Sequence, residues 1–296
     1  LSIMKPLRNR SRYSREVAYI LGLLHYENDN YKKAYKYYHR AYKQTDNPAK
    51  LDDLEQRMKR IKGLLSLNLS KTRFRHFDIF VPSDVHLKAA SLNHFLKRAY
   101  MLVGADLGIR PDRRFSVLIY KPGDFRRVVG APVWSGGVFD GKIHLKYEKG
   151  GNPPYSKRTI THEYTHALAY YMGTDNIPLW LNEGLATYME HRHHNLDYHY
   201  RALKKYPPDK TIRSLHDVSR LFRQKDDSRK IRLAYEYSYS MIDFWQEKYG
   251  LLQLRRLLEE TGKKASFEDA LHEVALLSSQ NFRYRWEDWV NHNLMR

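Results

Sequence analysis

His162 and His166 stand four residues apart with Glu163 beside the first, in the string His162-Glu163-Tyr164-Thr165-His166. On a helix, side chains at i and i+4 lie one above the other, so both imidazoles can reach one ion while Glu163 projects alongside. The pattern is a two-pronged metal clamp with a carboxylate placed to act as a base, which is the equipment of metal-assisted hydrolysis. Catalytic zinc commonly takes three protein ligands at about 2.0–2.2 Å and keeps another position open, so a third ligand must come from elsewhere. Glu183, in Trp180-Leu181-Asn182-Glu183-Gly184-Leu185-Ala186, is the best candidate. A three-histidine spacing would need Gly and His where this chain carries Ala169 and Met172, and it fails at both positions.

These ligands need two helices folded back on each other. Ile160, Ala167, Leu168 and Ala169 supply an apolar setting for the first, and Gly173-Thr174-Asp175-Asn176-Ile177-Pro178 supplies turn residues. A second helix is expected to begin near Leu179, with Glu183 in its first two turns. Each metal-binding His should pass its other ring N–H to a carboxylate, carbonyl or water. The sequence does not identify those partners: Asn182 is one candidate, and an N-cap role for it is at least as plausible.

With these residues in view, the chain resembles the gluzincin metallopeptidases, and more narrowly the peptidase MA-like domains, whose pattern is a His-Glu-x-x-His helix followed by a Trp-Leu-Asn-Glu-Gly-Leu-Ala helix. The resemblance extends over residues 72 to 296. His76 to Pro82, Phe115 to Tyr120 and Gly130 to Leu145 look like the family's small sheet, and Tyr235 to Tyr239 and Lys264 to Leu271 like its C-terminal helices. It implies a zinc peptidase in which His162, His166 and Glu183 hold one zinc ion and Glu163 is the general base. The anionic tetrahedral intermediate needs a donor, and in related aminopeptidase N-like enzymes a Tyr in a Tyr-x-x-Gly-aromatic segment fills that role. Tyr235 stands in the corresponding place, with Ser238 where that pattern has Gly. Tyr237 and Tyr239 stay open as alternatives, and packing on a C-terminal helix would account for any of the three.

In gluzincins the strand just before the zinc helix is an exposed edge to which an extended peptide can add. The segment Gly136 to Leu145 is expected to play that part. Gly136-Gly137 would let a substrate backbone approach closely, and a simple turn or bulge explains the pair equally well. No Gly-Ala-Met-Glu-Asn motif occurs, which favours an endopeptidase acting on extended polypeptides over an aminopeptidase.

The first seventy residues read as a separate helical domain, 1–70, ahead of a metallopeptidase domain, 71–296. Leu21, Gly22, Ala34, Tyr38 and Ala41 fit the spacing of one tetratricopeptide-like helix pair with its turn at Asn28-Asp29-Asn30. A lone repeat buries little surface, so it must pack on a third helix, Pro48 to Leu67, or on the catalytic domain. It serves either as a docking module for a protein partner or as a prop for the peptidase.

Net charge is +19, with 15 Lys and Arg against 7 Asp and Glu in residues 1–70, so the excess is spread along the chain. Arg8-Asn9-Arg10-Ser11-Arg12, Lys32-Lys33 and Arg57-Met58-Lys59-Arg60 could attract nucleic acid, anionic lipid headgroups or acidic cell-wall polymers, although no nucleic-acid motif surrounds them. The more economical reading is a solvated face with weak polyanion attraction. His191-Arg192-His193-His194, with His199 nearby, is a weak candidate for a second metal cluster, because successive helical side chains diverge and Arg192 repels a cation.

No stretch approaches the roughly 18–20 apolar residues required to span a bilayer, and Leu1 to Arg15 lacks a signal-peptide core, so the chain as given is expected to be soluble. With no Cys, neither disulfides nor thiolate ligands enter. The resemblance implies work in the bacterial periplasm or cell envelope, with a cytoplasmic site left open. The expected fold is α+β: a tetratricopeptide-like N-terminal segment, a small mixed sheet, the zinc helix packed on it, and a mostly helical C-terminal lobe. Two other functions compete with a zinc endopeptidase: an inactive gluzincin-fold scaffold that binds peptides, and a basic adaptor built on the helical repeat. Retention of Glu163 with all three candidate ligands disfavours the first, and the adaptor leaves the two zinc-helix segments unexplained.

Overall fold

The structure is a computed structural model, and it describes residues 14–130, 136–148, 156–173, 176–194, 200–224 and 227–294. The chain contacts divide it into two compact units, residues 1–91 with 114–155 and residues 92–113 with 156–296. The architecture is α+β, as expected.

The first unit joins three helices to the sheet. Helix α1 (Ser14–Glu27) packs on α2 (Tyr31–Tyr42), and α2 packs on α3 (Pro48–Leu65). The expected turn at residues 28–30 separates α1 from α2, and Asn30 caps α2 by accepting from the Lys33 N–H. Gly22 explains how closely the pair approaches: a Cβ there would lie 2.5 Å from the Tyr38 ring. Tyr38, Ala34 and Ala41 are buried beneath. Helix α3 starts with Asn47 as N-cap and Pro48 in its first turn, and buries Leu54, Met58, Ile61 and Leu64 at helical spacing.

Five strands follow: β1 (Leu69–Arg73), β2 (Phe77–Pro82), β3 (Phe115–Tyr120), β4 (Gly137–Phe139) and β5 (Ile143–Lys146), in the order β1-β2-β3-β5-β4. The β1–β2 and β4–β5 pairs are antiparallel, and β2–β3 and β3–β5 are parallel. Every residue of β2 is buried, the near-continuous apolar reading of a parallel strand covered on both faces. Two features differ from expectation. The strand before the metal helix, β5, is internal, and β4 is the outer strand, with Gly137 paired to Leu145 in its ladder. Strand β1 crosses the boundary expected after residue 70.

Two half-buried charge clusters tie the helices to this sheet. Asp29, in the α1–α2 turn at φ 58°, is bonded to the fully buried Lys142 ammonium and to Ser116, and pairs with Lys71 at 3.0 Å. Asp140 accepts from Arg60, from the Tyr26 hydroxyl at 2.9 Å and from His144 Nε2 at 2.7 Å, and the opposite nitrogen of that imidazole meets the Tyr120 hydroxyl at 2.7 Å.

The second unit is helical: α4 (Ala89–Asp106), α6 (Lys157–Gly173), α7 (Leu179–His194), α8 (Arg201–Lys205), α9 (Pro208–Thr211), α10 (Leu215–Leu221), α11 (Ser228–Tyr249), α12 (Leu251–Lys263), α13 (Phe267–Ala275) and α14 (Ser279–Asn293). The short α5 (Pro122–Asp124) belongs to the first unit. Helix α6 packs on α7 and α12, and α11 packs on α7. Trp180, Trp245, Trp286 and Phe282 are buried, with the Trp180 and Phe282 rings stacked 5.8 Å apart. No helix among the described residues is long and apolar enough to cross a membrane.

Candidate metal centre

Helix α6 is buried on nearly every side, which fits its place between α7 and α12 and leaves its polar residues to be satisfied by protein groups. His162 and His166 lie on one face, their rings 4.8 Å apart and nearly perpendicular. Helix α7 begins at Leu179 as expected, and its fifth residue, Glu183, turns towards them. Glu183 Oε2 is 3.6 Å from His162 Nε2 and 3.8 Å from His166 Nε2. The three residues offer ligand atoms that all lie within 4.8 Å of one another, and no other such group occurs among the described residues.

The other ring nitrogens decide what these three can hold. His162 Nδ1 donates to Glu190 Oε2 at 3.1 Å, and His166 Nδ1 donates to Asn182 Oδ1 at 2.9 Å. With Nδ1 of each ring engaged in this way, both Nε2 atoms face the Glu183 carboxylate. The three groups meet in a partly buried place where either a proton on His162 or a metal cation can sit between them, and two imidazoles with one carboxylate are a donor set suited to zinc. The residues therefore fit a divalent metal.

The electrostatics agree. Burial works against a charged His162, yet the Glu183 and Glu190 carboxylates outweigh it and push its pKa up to about 10, so the cluster favours a positive charge at its centre. Burial lowers the pKa of His166. Burial would raise Glu183, but His166 and His162 overcome this and hold it below the usual carboxylate range. Glu190, held by Arg158 at 2.7 Å as well as by His162, falls to about 2 against the effect of burial. Glu163 behaves differently: burial, reinforced by Glu183 and Glu190, raises its carboxyl to about 8 despite the opposing His162. Its Oε2 is buried with no hydrogen-bond partner among the described residues, a costly state unless a bound group completes it.

The profile of the Peptidase MA superfamily matches residues 97–292. The chain belongs to the Peptidase MA superfamily. Among solved structures it is similar to the M1 zinc metallopeptidase from Deinococcus radiodurans, at 16% identity over 76% of this chain and 52% of that one, with a TM-score of 0.43. A glutamate-to-alanine variant of that protein gives 14% identity over 74% and 52%, also at 0.43. The variant bound to a Tyr-Ser-Ala substrate gives 15% over 74% and 51%, at 0.40. The chain spans about half the length of these structures. No curated protein matches it.

In this Peptidase MA member the three candidate tyrosines part company. Tyr235 faces Glu183, and its hydroxyl pKa is raised by burial first and by that carboxylate second. Tyr237 donates its hydroxyl to the Tyr206 carbonyl at 2.7 Å, and Tyr239 packs among Tyr188, His191 and Tyr200. Gly184 brings α11 into place: a Cβ on it would sit 2.5 Å from the Ser238 carbonyl oxygen. Tyr235 precedes Ser238 by three residues, hence on the same helical face. The small residue that this crossing needs is therefore on α7, which leaves room for Ser238 on α11.

Asn182 lies inside α7 rather than capping it. Glu190 was missed by sequence reasoning, although it follows Glu183 by seven residues and so returns to the same face after two turns. The imidazoles after it diverge. His191 meets Tyr239, His193 pairs with Asp106 at 3.0 Å, and His194 Nε2 lies 3.1 Å from the Thr161 hydroxyl. His199 and the cluster from Arg8 to Arg12 lie outside the described residues.

Proposed function

We propose that the protein is a zinc-dependent peptidase, with residues 71–296 carrying the activity. The observation that supports this best is the convergence of His162 Nε2, His166 Nε2 and Glu183 Oε2, with both Nδ1 protons committed and a buried, unpartnered Glu163 carboxylate on the same helix turn. His162, His166 and Glu183 would hold one zinc ion. Bound there, the ion supplies Lewis-acid polarisation of a carbonyl and a water acidic enough to deprotonate near neutral pH.

The chain's own residues do the rest. Glu163 is the proton carrier: its carboxylate can take a proton at the free Oε2 and return it to the departing amine. Tyr235 donates a hydrogen bond from its hydroxyl to the developing oxyanion of the substrate carbonyl, and burial keeps the proton on the tyrosine oxygen. Glu190 and Asn182 orient the two imidazoles. Without the aminopeptidases' Gly-Ala-Met-Glu-Asn motif to bind a substrate amino terminus, the reading is an endopeptidase acting on extended polypeptides. We place it in the bacterial periplasm or envelope.

The test is metal content by elemental analysis alongside casein cleavage. Wild type should carry about one zinc and cleave. Glu163→Ala should keep the metal and lose cleavage, His166→Ala should lose both, and Tyr235→Phe should keep the metal with kcat down about 100-fold or more. A folded wild-type protein that takes up no zinc would refute the metal site, and a Glu163→Ala variant that cleaves casein at the wild-type rate would refute the base.

A further inference from the structure

The first unit treats its cations in two ways. Those that hold it together meet carboxylates: Lys142 with Asp29, Lys71 with Asp29 and Asp78, Arg57 with Asp53, Arg60 with Asp140. Along the outer face of α2 the opposite holds. Lys32, Lys33, Lys36, Arg40 and Lys43 are all exposed, and none forms an ion pair among the described residues. Helix α2 contains no acidic residue. Lys32, Lys36, Arg40 and Lys43 follow one another at i+4, i+4 and i+3, which lines them up as a stripe about 17 Å long.

That arrangement works against the helix. Lys32 and Lys33 occupy the first turn, where the macrodipole disfavours positive charge, and each i, i+4 neighbour along the stripe repels the next. Local stability does not account for it, so a partner that supplies negative charge is the simplest cause. At its C-terminal end the stripe borders a concavity of about 450 Å³ lined by Lys36, Tyr37, His39, Arg40, Lys43 and Gln44, with no carboxylate in the lining.

We propose that the outer face of α2 binds the backbone of a linear phosphodiester polymer. The single-file spacing suits successive phosphates along an extended chain. The exposed positions of this face carry no Leu, Ile, Phe, Trp or Met to enter a bilayer. The neighbouring rings are already engaged, His25 on Tyr37 at 5.3 Å and Tyr35 on His39 at 6.1 Å, so they are not open platforms for stacking bases. Recognition is therefore of phosphate charge, indifferent to what the backbone carries, and independent of the peptidase reading.

The test uses the full chain and a fluorescent single-stranded oligothymidylate of about 20 nucleotides, with anisotropy followed over a salt series. Wild type should bind with log affinity falling linearly against log salt. The triple variant Lys36→Gln, Arg40→Gln, Lys43→Gln should bind at least about tenfold more weakly, with the slope reduced by about 2. Gln is a good helix former and the repulsion is relieved, so this variant keeps its fold, checked by its thermal melt. A control with the same net charge, Lys204→Gln, Lys210→Gln, Arg256→Gln, removes exposed cations elsewhere and should bind within about twofold of wild type. Equal losses in the two triples would reduce the effect to overall charge and overturn the proposal. So would binding to vesicles of about 30% phosphatidylglycerol that depends on α2 while oligothymidylate binding does not.

Discussion

Removing Glu190 should weaken zinc binding more than removing Asn182, although neither residue is a ligand. Each carries the Nδ1 proton of one imidazole, but the two bonds differ in kind. The His162–Glu190 contact at 3.1 Å ends on a carboxylate that is 15% exposed and also held by Arg158, whereas the His166–Asn182 contact at 2.9 Å ends on a neutral amide. A charge-assisted bond contributes about 1.5–3 kcal/mol and a neutral one about 0.5–1.5 kcal/mol. At about 1.4 kcal/mol per decade, Glu190→Ala should raise the zinc dissociation constant about 10- to 100-fold, and Asn182→Ala about 2- to 10-fold. Glu190→Gln, which keeps an acceptor and loses the charge, should fall between wild type and Glu190→Ala. Arg158→Ala should cost less than Glu190→Ala, because the Arg158 side chain is 51% exposed and water can replace it. The assay is competition against a chromogenic zinc chelator at fixed pH, followed by casein cleavage at saturating zinc, where most of the Glu190→Ala loss should be recovered. Affinities within twofold of wild type for both alanine variants, or the reverse order, would show that these contacts do not orient the ligands.

Gly184→Ala should destabilise the second unit by about 1–3 kcal/mol, because the new methyl meets the Ser238 carbonyl and must push α11 away from α7. Since the same movement carries Tyr235 away from Glu183, kcat should fall further than in an equally destabilised variant of a distant core residue; a melt and a kcat measurement on both decide it. Acid should loosen the first unit in two stages. Burial lowers the pKa of His144 below its unfolded 6.5, so the unfolded chain binds that proton first and stability is lost as pH falls through the range below 6.5. Asp140 would be raised by burial, but His144 and Arg60 hold it far below its unfolded 3.8, so its contribution is present above that value and is lost on further acidification. Asp140→Asn should therefore flatten the acid limb of a stability–pH curve measured by denaturant unfolding, and a curve unchanged from wild type would remove Asp140 from the account.

What could be read from the chain alone follows from how far apart the cooperating residues lie. His162, Glu163 and His166 sit within five residues on one helix, and Glu183 follows on the next, so helical geometry determines most of the site. Glu190 belongs to the same geometry and was legible in principle, but a lone Glu at i+7 has many ordinary explanations on a helix. Choosing among Tyr235, Tyr237 and Tyr239 required the α7–α11 crossing, and that depends on a backbone contact from Gly184 to Ser238 that no periodicity records. The N-terminal helices were legible as a pair through Gly22, Ala34 and Tyr38, whereas their attachment was not. Asp29 meets Lys142 across 113 residues, and Arg60 meets Asp140 across 80. Buried ion pairs at such separations leave two ordinary-looking charged residues in the sequence, and only burial distinguishes them from a solvated face. A boundary drawn at residue 70 from the helix-pair spacing passes through β1, and the side chains that bind the helices to the sheet come from Asp29 and Arg60 on one side and from Lys71, Asp140 and Lys142 on the other. The same distinction separates the cations of this unit: Lys142 and Arg60 are matched by half-buried carboxylates, and the α2 stripe has none among the described residues, a difference that a count of net charge cannot express.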